Sequence, residues 1–144
     1  MARDTRTGAV LEQMIEPALR SGGYKWQTQV TIGKRPGGGR HKVDFVVDVG
    51  DGKAYLVSVK WQQTSGTAEQ KVPFEAICLA EAIHNEPERY AGAYLVLGGE
   101  GWKLRTYFTE GGLDDYLKHC DLVKIVTLER FVALANQGRL QAPK

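Results

Sequence analysis

The stretch from Val43 to Gln62 reads VDFVVDVGDGKAYLVSVKWQ. β-Branched and apolar residues run up to Gly50-Asp51-Gly52 and resume beyond it, which predicts two adjacent strands joined by a tight Asp-Gly hairpin turn. Side chains alternate along a strand, so Val43, Phe45, Val47 and Val49 share one face and Asp44, Val46 and Asp48 the other. On the second strand Tyr55, Val57, Val59 and Trp61 oppose Leu56, Ser58, Lys60 and Gln62. With both apolar faces turned to one core, Asp44, Ser58, Lys60 and Gln62 gather on the opposite face. A carboxylate and an ammonium then lie close together at a candidate active site. An ordinary cross-strand charge pair, worth about 0.2–1 kcal/mol, accounts for those two residue types equally well.

Upstream, Val10, Leu11, Met14, Ile15, Ala18 and Leu19 have the spacing of a helix over 7–21 with one buried face, ended by Gly22-Gly23. Pro17 removes a helix hydrogen bond and predicts a kink. Glu12 lies at the edge of the apolar face beside Ile15 and Leu19, whereas Glu16 points further toward solvent. The alternation of Trp26, Thr28, Val30 and Ile32 predicts a strand over 24–33 with one wet face. Between that strand and the hairpin, Lys34-Arg35-Pro36-Gly37-Gly38-Gly39-Arg40-His41-Lys42 sets three glycines among five basic or potentially basic residues. This predicts an exposed, mobile loop, either a solvated connector or a phosphate-contacting flap beside Asp44. It lacks the GxxxxGK[ST] order of a Walker loop.

Downstream, 63–67 reads as a loop and 68–72 as a first helical turn, with a helix running from Pro73 to about Asn85. Its apolar residues, from Phe74 and Ile77 to Ile83, spread round most of the surface. That helix is expected to be buried on more than one side, either between the sheet and a second subunit or on three sides within one chain. Residues 91–98 predict a buried strand, 102–108 another, 113–119 a short helix and 122–126 a last strand. A helix over 128–136 follows, capped by Thr127, and then a frayed tail over 137–144. This order gives an α/β sandwich with a mixed sheet.

The 144 residues fit one domain spanning 1–144, large enough to bury about two-thirds of its unfolded surface. Apolar residues at 42% and charged residues at 25% exclude a disordered chain. The net charge of +2 is too small to identify an anionic partner, so the clustering of Arg3, Arg6, Lys34, Arg35, Arg40 and Lys42 ahead of the hairpin carries more weight. No apolar run approaches the roughly 20 residues of a membrane span, and the charged start lacks a signal-peptide core. The expectation is an intracellular protein with no membrane association. Cys78 and Cys120 have no CxxC partner and read as reduced thiols.

An acid, a hairpin and then x-x-Lys-x-Gln resembles the PD-(D/E)XK nuclease superfamily. The order of pieces over Thr7 to Phe108 is most similar to the archaeal-type Holliday junction resolvases: a helix opening Gly8-Ala9-Val10-Leu11-Glu12, a strand, a basic glycine loop, Val43-Asp44, the hairpin, Ser58-Val59-Lys60, a helix and a strand. The resemblance implies a restriction-endonuclease-like α/β sandwich, its central mixed sheet flanked by helices. It implies a homodimer cutting branched or double-stranded DNA with Mg²⁺, for which Mn²⁺ substitutes. Asp44 matches the metal-binding Asp, Lys60 the catalytic Lys and Glu12 the catalytic Glu of the early helix. The Val59 carbonyl would add a metal ligand, Gln62 would hold a phosphate or water, and the basic residues before the hairpin would contact DNA. One position departs from the pattern, because Ser58 stands where the family places a Glu, and a hydroxyl is a far weaker Mg²⁺ ligand than a carboxylate. Some restriction enzymes of the superfamily read Ser-x-Lys and take their Glu from the next helix, which points to Glu75 and, less well placed in the preceding loop, Glu69. Three functions stay open: a junction-resolving endonuclease, a sequence-specific restriction-type endonuclease, and a catalytically inactive DNA-binding relative.

Overall fold

The computed structural model describes residues 5–64 and 66–141. In chain order these form α1 (Thr5–Val10), a π-helical turn (Leu11–Ile15), α2 (Glu16–Ser21), β1 (Lys25–Lys34), β2 (Arg40–Gly50), β3 (Lys53–Trp61), α3 (Ala68–Asn85), β4 (Tyr90–Gly98), α4 (Arg105–Thr109), β5 (Val123–Thr127) and α5 (Leu128–Asn136). The hairpin forms where Asp51-Gly52 places it. Both residues have positive φ, 57° and 74°, as a two-residue turn matched to strand twist requires. The Asp48 carboxylate accepts the Gly50 N–H at 2.9 Å. Pairing then runs from Gly50 opposite Lys53 to Phe45 opposite Val57.

The sheet is mixed, in the order β1-β2-β3-β4-β5. β1 and β3 flank β2 antiparallel, while β4 and β5 continue parallel beyond β3. The parallel step from β3 to β4 requires a crossover, which α3 supplies. Helix α3 covers one face through Leu56, Val72, Leu79, Leu95 and Leu97. The α1–α2 segment and α5 cover the other, where Leu11, Ile15, Leu19, Val57, Val96 and Phe131 pack together. Each of these buried apolar side chains contributes about 1.5–3 kcal/mol. The result is the expected α/β sandwich. No helix among the described residues is long and apolar enough to cross a membrane.

One departure decides where the site sits. Val43, Phe45 and Val47 have the same parity on β2, yet Phe45 and Val47 pack on the α1/α2/α5 side and Val43 packs under α3. The partners on β1 behave likewise: Trp26 lies with the first group and Val30 with the second. The register Thr28↔Phe45 and Val30↔Val43 is unbroken, so the two-stranded ribbon turns over between these pairs, at Gln29 and Asp44. Gln29 has φ 53° there.

Other elements depart from the sequence reading for local reasons. The kink expected from Pro17 appears one turn earlier, as the π-helical turn that delivers the proline to the start of α2, where its missing N–H leaves no bond unmade. Helix α3 begins at Ala68 and Pro73 lies inside it. Residues 102–108 form no strand, because Trp102 Nε1 turns back to the Gly98 carbonyl at 2.7 Å and Phe108 N closes a helical turn on Leu104 at 2.9 Å. Residues 113–119 close successive turns instead of a helix. The segment 34–42 is no open loop: Lys34 pairs with Arg40, and only Arg35–Gly39 turns, with Gly37 and Gly38 at φ 94° and 98°. The tail expected to fray is docked through Gln141, since Leu140 is fully buried, its N–H donates to Tyr24 Oη at 3.0 Å and its carbonyl accepts from Tyr94 Oη. Thr127 caps α5 as expected, accepting the Arg130 N–H at 3.2 Å.

Candidate active site

Beyond Phe45↔Val57 the pairing of β2 with β3 stops, and a carboxylate takes over the ladder's role. Asp44 Oδ2 accepts the Val59 N–H at 2.7 Å, and Oδ1 accepts from Gln29 Nε2 at 3.3 Å. The turnover of the ribbon moves Asp44 off the face shared by Ser58 and Lys60 into the gap between the strands. Burial pushes its pKa up; the Val59 N–H, the Gln29 amide and the Lys60 charge offset this in part, and the Glu75 charge adds to it. An ionised carboxylate in such a place is short of positive charge.

Glu75 supplies the second acid. It lies on the face of α3 turned to the sheet and is 4% exposed. Its Oε2 accepts the Ser58 hydroxyl at 2.5 Å and faces His41 Nε2 at 3.3 Å. Burial pulls its pKa upward, but the hydrogen bonds from His41 and Ser58 and the charge of Lys60 outweigh burial and leave it below the ordinary value. Its Oε1 accepts no hydrogen bond among the described residues. The strand position that lacks a carboxylate is thus hydrogen-bonded to one reaching in from the next helix.

Lys60 extends the Ser58 face and is partly buried. Among the described residues its ammonium closes no ion pair, so Asp44 and Lys60 are not the ordinary cross-strand pair that spacing alone allowed. Its charge acts on both carboxylates. Glu12 is exposed on the π-helical turn and lines, with Asp44, Gln29 and Thr28, a cavity of about 280 Å³. Glu16, which lines the same cavity, is held by Trp26 Nε1 at 3.1 Å, whereas Glu12 makes no side-chain hydrogen bond among the described residues.

Gln62 and Glu69 belong elsewhere. The Gln62 carboxamide donates to the Gly101 carbonyl at 2.8 Å and to Glu69 at 3.3 Å, and accepts the Ala68 N–H at 3.0 Å. Both donors and the acceptor tie the end of β3 to the start of α3 and to the loop after β4, so the expected phosphate or water contact is replaced by a structural clamp. Glu69, inside α3 and not in a loop before it, accepts from Gln62 and from the Lys103 N–H in the same clamp.

Of the basic residues, Lys34, Arg40 and Lys42 are exposed along the β1–β2 hairpin end. Arg35 is half-buried, and its charge acts on the Cys78 thiol in α3. Arg3 and the side chain of Arg6 lie outside the described residues. Cys78 is a free, buried thiol, pushed up to about 11 chiefly by burial, which makes it inert.

Two neighbours of the acids escaped the sequence reading. His41, counted there with the loop, is a buried residue of β2, and its parity with Val43 and Phe45 was the available signal. Gln29 had none, since its role depends on the pairing of β1.

The donor set suits a hard divalent cation. No group of three or more His, Cys, Asp or Glu side chains among the described residues forms a protein cage for a metal. Mg²⁺ does not require one, because it is commonly held by one or two carboxylates and keeps its remaining positions for water and substrate phosphate. Asp44, a carboxylate lining an open cavity, and Glu75, with Oε1 open, meet that pattern.

A family model described as the PD-(D/E)XK nuclease superfamily domain matches residues 3–139. No curated protein matches the chain. The crystal structure of a protein of unknown function, AF1548, is similar at 16% identity with a TM-score of 0.48; the match covers 79% of this chain and 54% of that one, so the chain spans about half its length.

Proposed function

This chain belongs to the PD-(D/E)XK nuclease superfamily, and on that premise we propose that it is a Mg²⁺-dependent endodeoxyribonuclease, acting as a homodimer inside the cell to cut branched DNA at four-way junctions. Residues 1–144 are read as one nuclease unit. The observation that carries the catalytic reading is the 2.5 Å hydrogen bond from Ser58 to Glu75, which sets a helix-borne carboxylate at the strand position where the superfamily's acid is missing.

Asp44, Glu75 and the Val59 carbonyl would hold the cation, and Glu12 would bind its water from across the cavity. Bound there, Mg²⁺ supplies Lewis-acid polarisation of the scissile phosphate and a lowered pKa for coordinated water. Lys60, with no ion pair of its own among the described residues, positions the attacking water and offsets charge developing on phosphorus. His41 and Ser58 fix the Glu75 carboxylate so that one oxygen stays free. Lys34, Arg40 and Lys42 would neutralise phosphates along the hairpin.

The dimer is supported by α3, whose outward face carries Phe74 at 47% and Ile77 at 38% exposure, apolar surface that a second copy would cover. Two opposed strands need two sites related by a two-fold axis. The helix-borne acid also favours a second reading, a sequence-specific restriction-type endonuclease. Labelled four-way junction and linear duplex, each incubated with Mg²⁺ and with chelator, separate the two. Paired nicks confined to the junction support resolution. Cutting of linear duplex at a fixed sequence selects the second reading.

A further inference from the structure

We propose that Gln29 is a positioning residue that fixes the Asp44 carboxylate for its cation. This rests on the reading of Asp44 as a cation ligand. Gln29 has φ 53° in the middle of a strand, the left-handed region that side chains other than glycine rarely adopt. The register across it is unbroken, so this backbone accommodates no extra residue. Its consequence is the turnover of the ribbon, which brings the Gln29 amide to Asp44 Oδ1 at 3.3 Å while the Val59 N–H holds Oδ2 at 2.7 Å. A donor on each oxygen stops the carboxylate rotating. Gln29 is exposed and packs no core, so burial does not explain a long amide at a strained position. Glycine would satisfy the backbone alone. The amide is also neutral: a lysine or arginine here would compete with the cation for the charge of Asp44, whereas glutamine orients it and leaves it available. Gln29 lines the same cavity of about 280 Å³ as Glu12 and Asp44, on the open side of the site.

The test is Mn²⁺ affinity of the full chain without DNA, measured by calorimetry beside thermal melting, for wild type, Gln29→Gly, Gln29→Asn and Asp44→Asn. Gln29→Gly suits the left-handed backbone and removes the amide. It is expected to melt at or above the wild-type temperature yet bind Mn²⁺ about tenfold more weakly, the usual size of an outer-shell ligand effect. Gln29→Asn, one methylene short, is expected to bind as weakly, and carries the test should Gln29→Gly fail to fold. At saturating cation the cleavage rate of these variants returns toward wild type, because the ligand itself is intact; a merely structural role would lower the melting temperature and leave the metal response unchanged. Wild-type Mn²⁺ affinity in both Gln29 variants, with weak binding in Asp44→Asn, overturns the positioning role alone. Wild-type affinity in Asp44→Asn overturns the cation site and the inference with it.

Discussion

Transferring the second carboxylate from α3 to β3 perturbs the site at the point its geometry constrains most tightly. Ser58 Oγ and Glu75 Oε2 are 2.5 Å apart, so a glutamate introduced at position 58 reaches the space that the Glu75 carboxylate fills. In Glu75→Ala the buried Ser58 hydroxyl and the buried His41 ring both lose their acceptor. Each buried group left unpaired costs about 1–3 kcal/mol, so the variant loses roughly 2–6 kcal/mol. At about 2–4 °C per kcal/mol for a chain of this size, its melting temperature falls by roughly 4–24 °C. Ser58→Glu alone places two carboxylates side by side, a repulsion of about 4 kcal/mol at 4 Å and an effective dielectric of 20. That variant melts early as well. Combined, the two substitutions return one carboxylate to His41, so most of both losses disappear and cation-dependent cleavage reappears in part. Thermal melting and single-turnover cleavage of all four proteins give the coupling, which is expected to reach about 2 kcal/mol or more. Losses that simply add, in a double variant that stays dead, would refute the placement of Glu75 as the migrated ligand.

The two carboxylates titrate with opposite consequences for stability. Glu75 lies below its ordinary 4.5, so its contribution is present above that pH and lost as pH falls through its folded value; melting temperature against pH should show an acid limb that Glu75→Gln lacks. Asp44 lies above its ordinary 3.8, so the stability it contributes is present below that pH and lost as pH rises through its folded value. Asp44→Asn, which never ionises, is therefore expected to lack the fall in melting temperature that wild type shows as pH rises through the folded value of Asp44, and an identical pH dependence in the two proteins would contradict the raised pKa. Replacing the exposed Lys34, Arg40 and Lys42 by alanine should flatten the dependence of log affinity on log salt by about 0.9 for each duplex phosphate no longer neutralised. An unchanged slope in a binding titration would make the hairpin end a plain connector.

The parts of this molecule set by neighbours in sequence were legible before the structure. Asp51-Gly52 specified the hairpin, Thr127 announced α5, and the alternation along β3 put Ser58 and Lys60 on one face. Glu75 was singled out because a serine at 58 raised the question of which acid could stand in there, and the hydrogen bond between the two brings them together. The remainder depends on pairings made at a distance. The turnover at Asp44 requires Gln29, from another strand, at positive φ, so no alternation rule applied to β2 alone places Val43 and Phe45 on different sides. Gln62 looked available because its three partners come from positions 68, 69 and 101. Residues 102–108 looked like a strand because Trp102, Leu104 and Phe108 alternate weakly, whereas Leu104 is exposed and only Trp102 and Phe108 reach the core.

Phosphodiester cleavage itself bears most directly on the assignment of Asp44, Glu75 and Lys60. Purified protein should be incubated with end-labelled DNA in Mg²⁺, in Mn²⁺ and in chelator, beside Asp44→Asn and Lys60→Ala. Wild type is expected to cut with either cation and not in chelator. Both variants should bind DNA as wild type does and cut at least about a hundredfold more slowly, the lower range for loss of a positioned acid–base group. Cleavage that persists in chelator, or wild-type rates in either variant, would contradict the site.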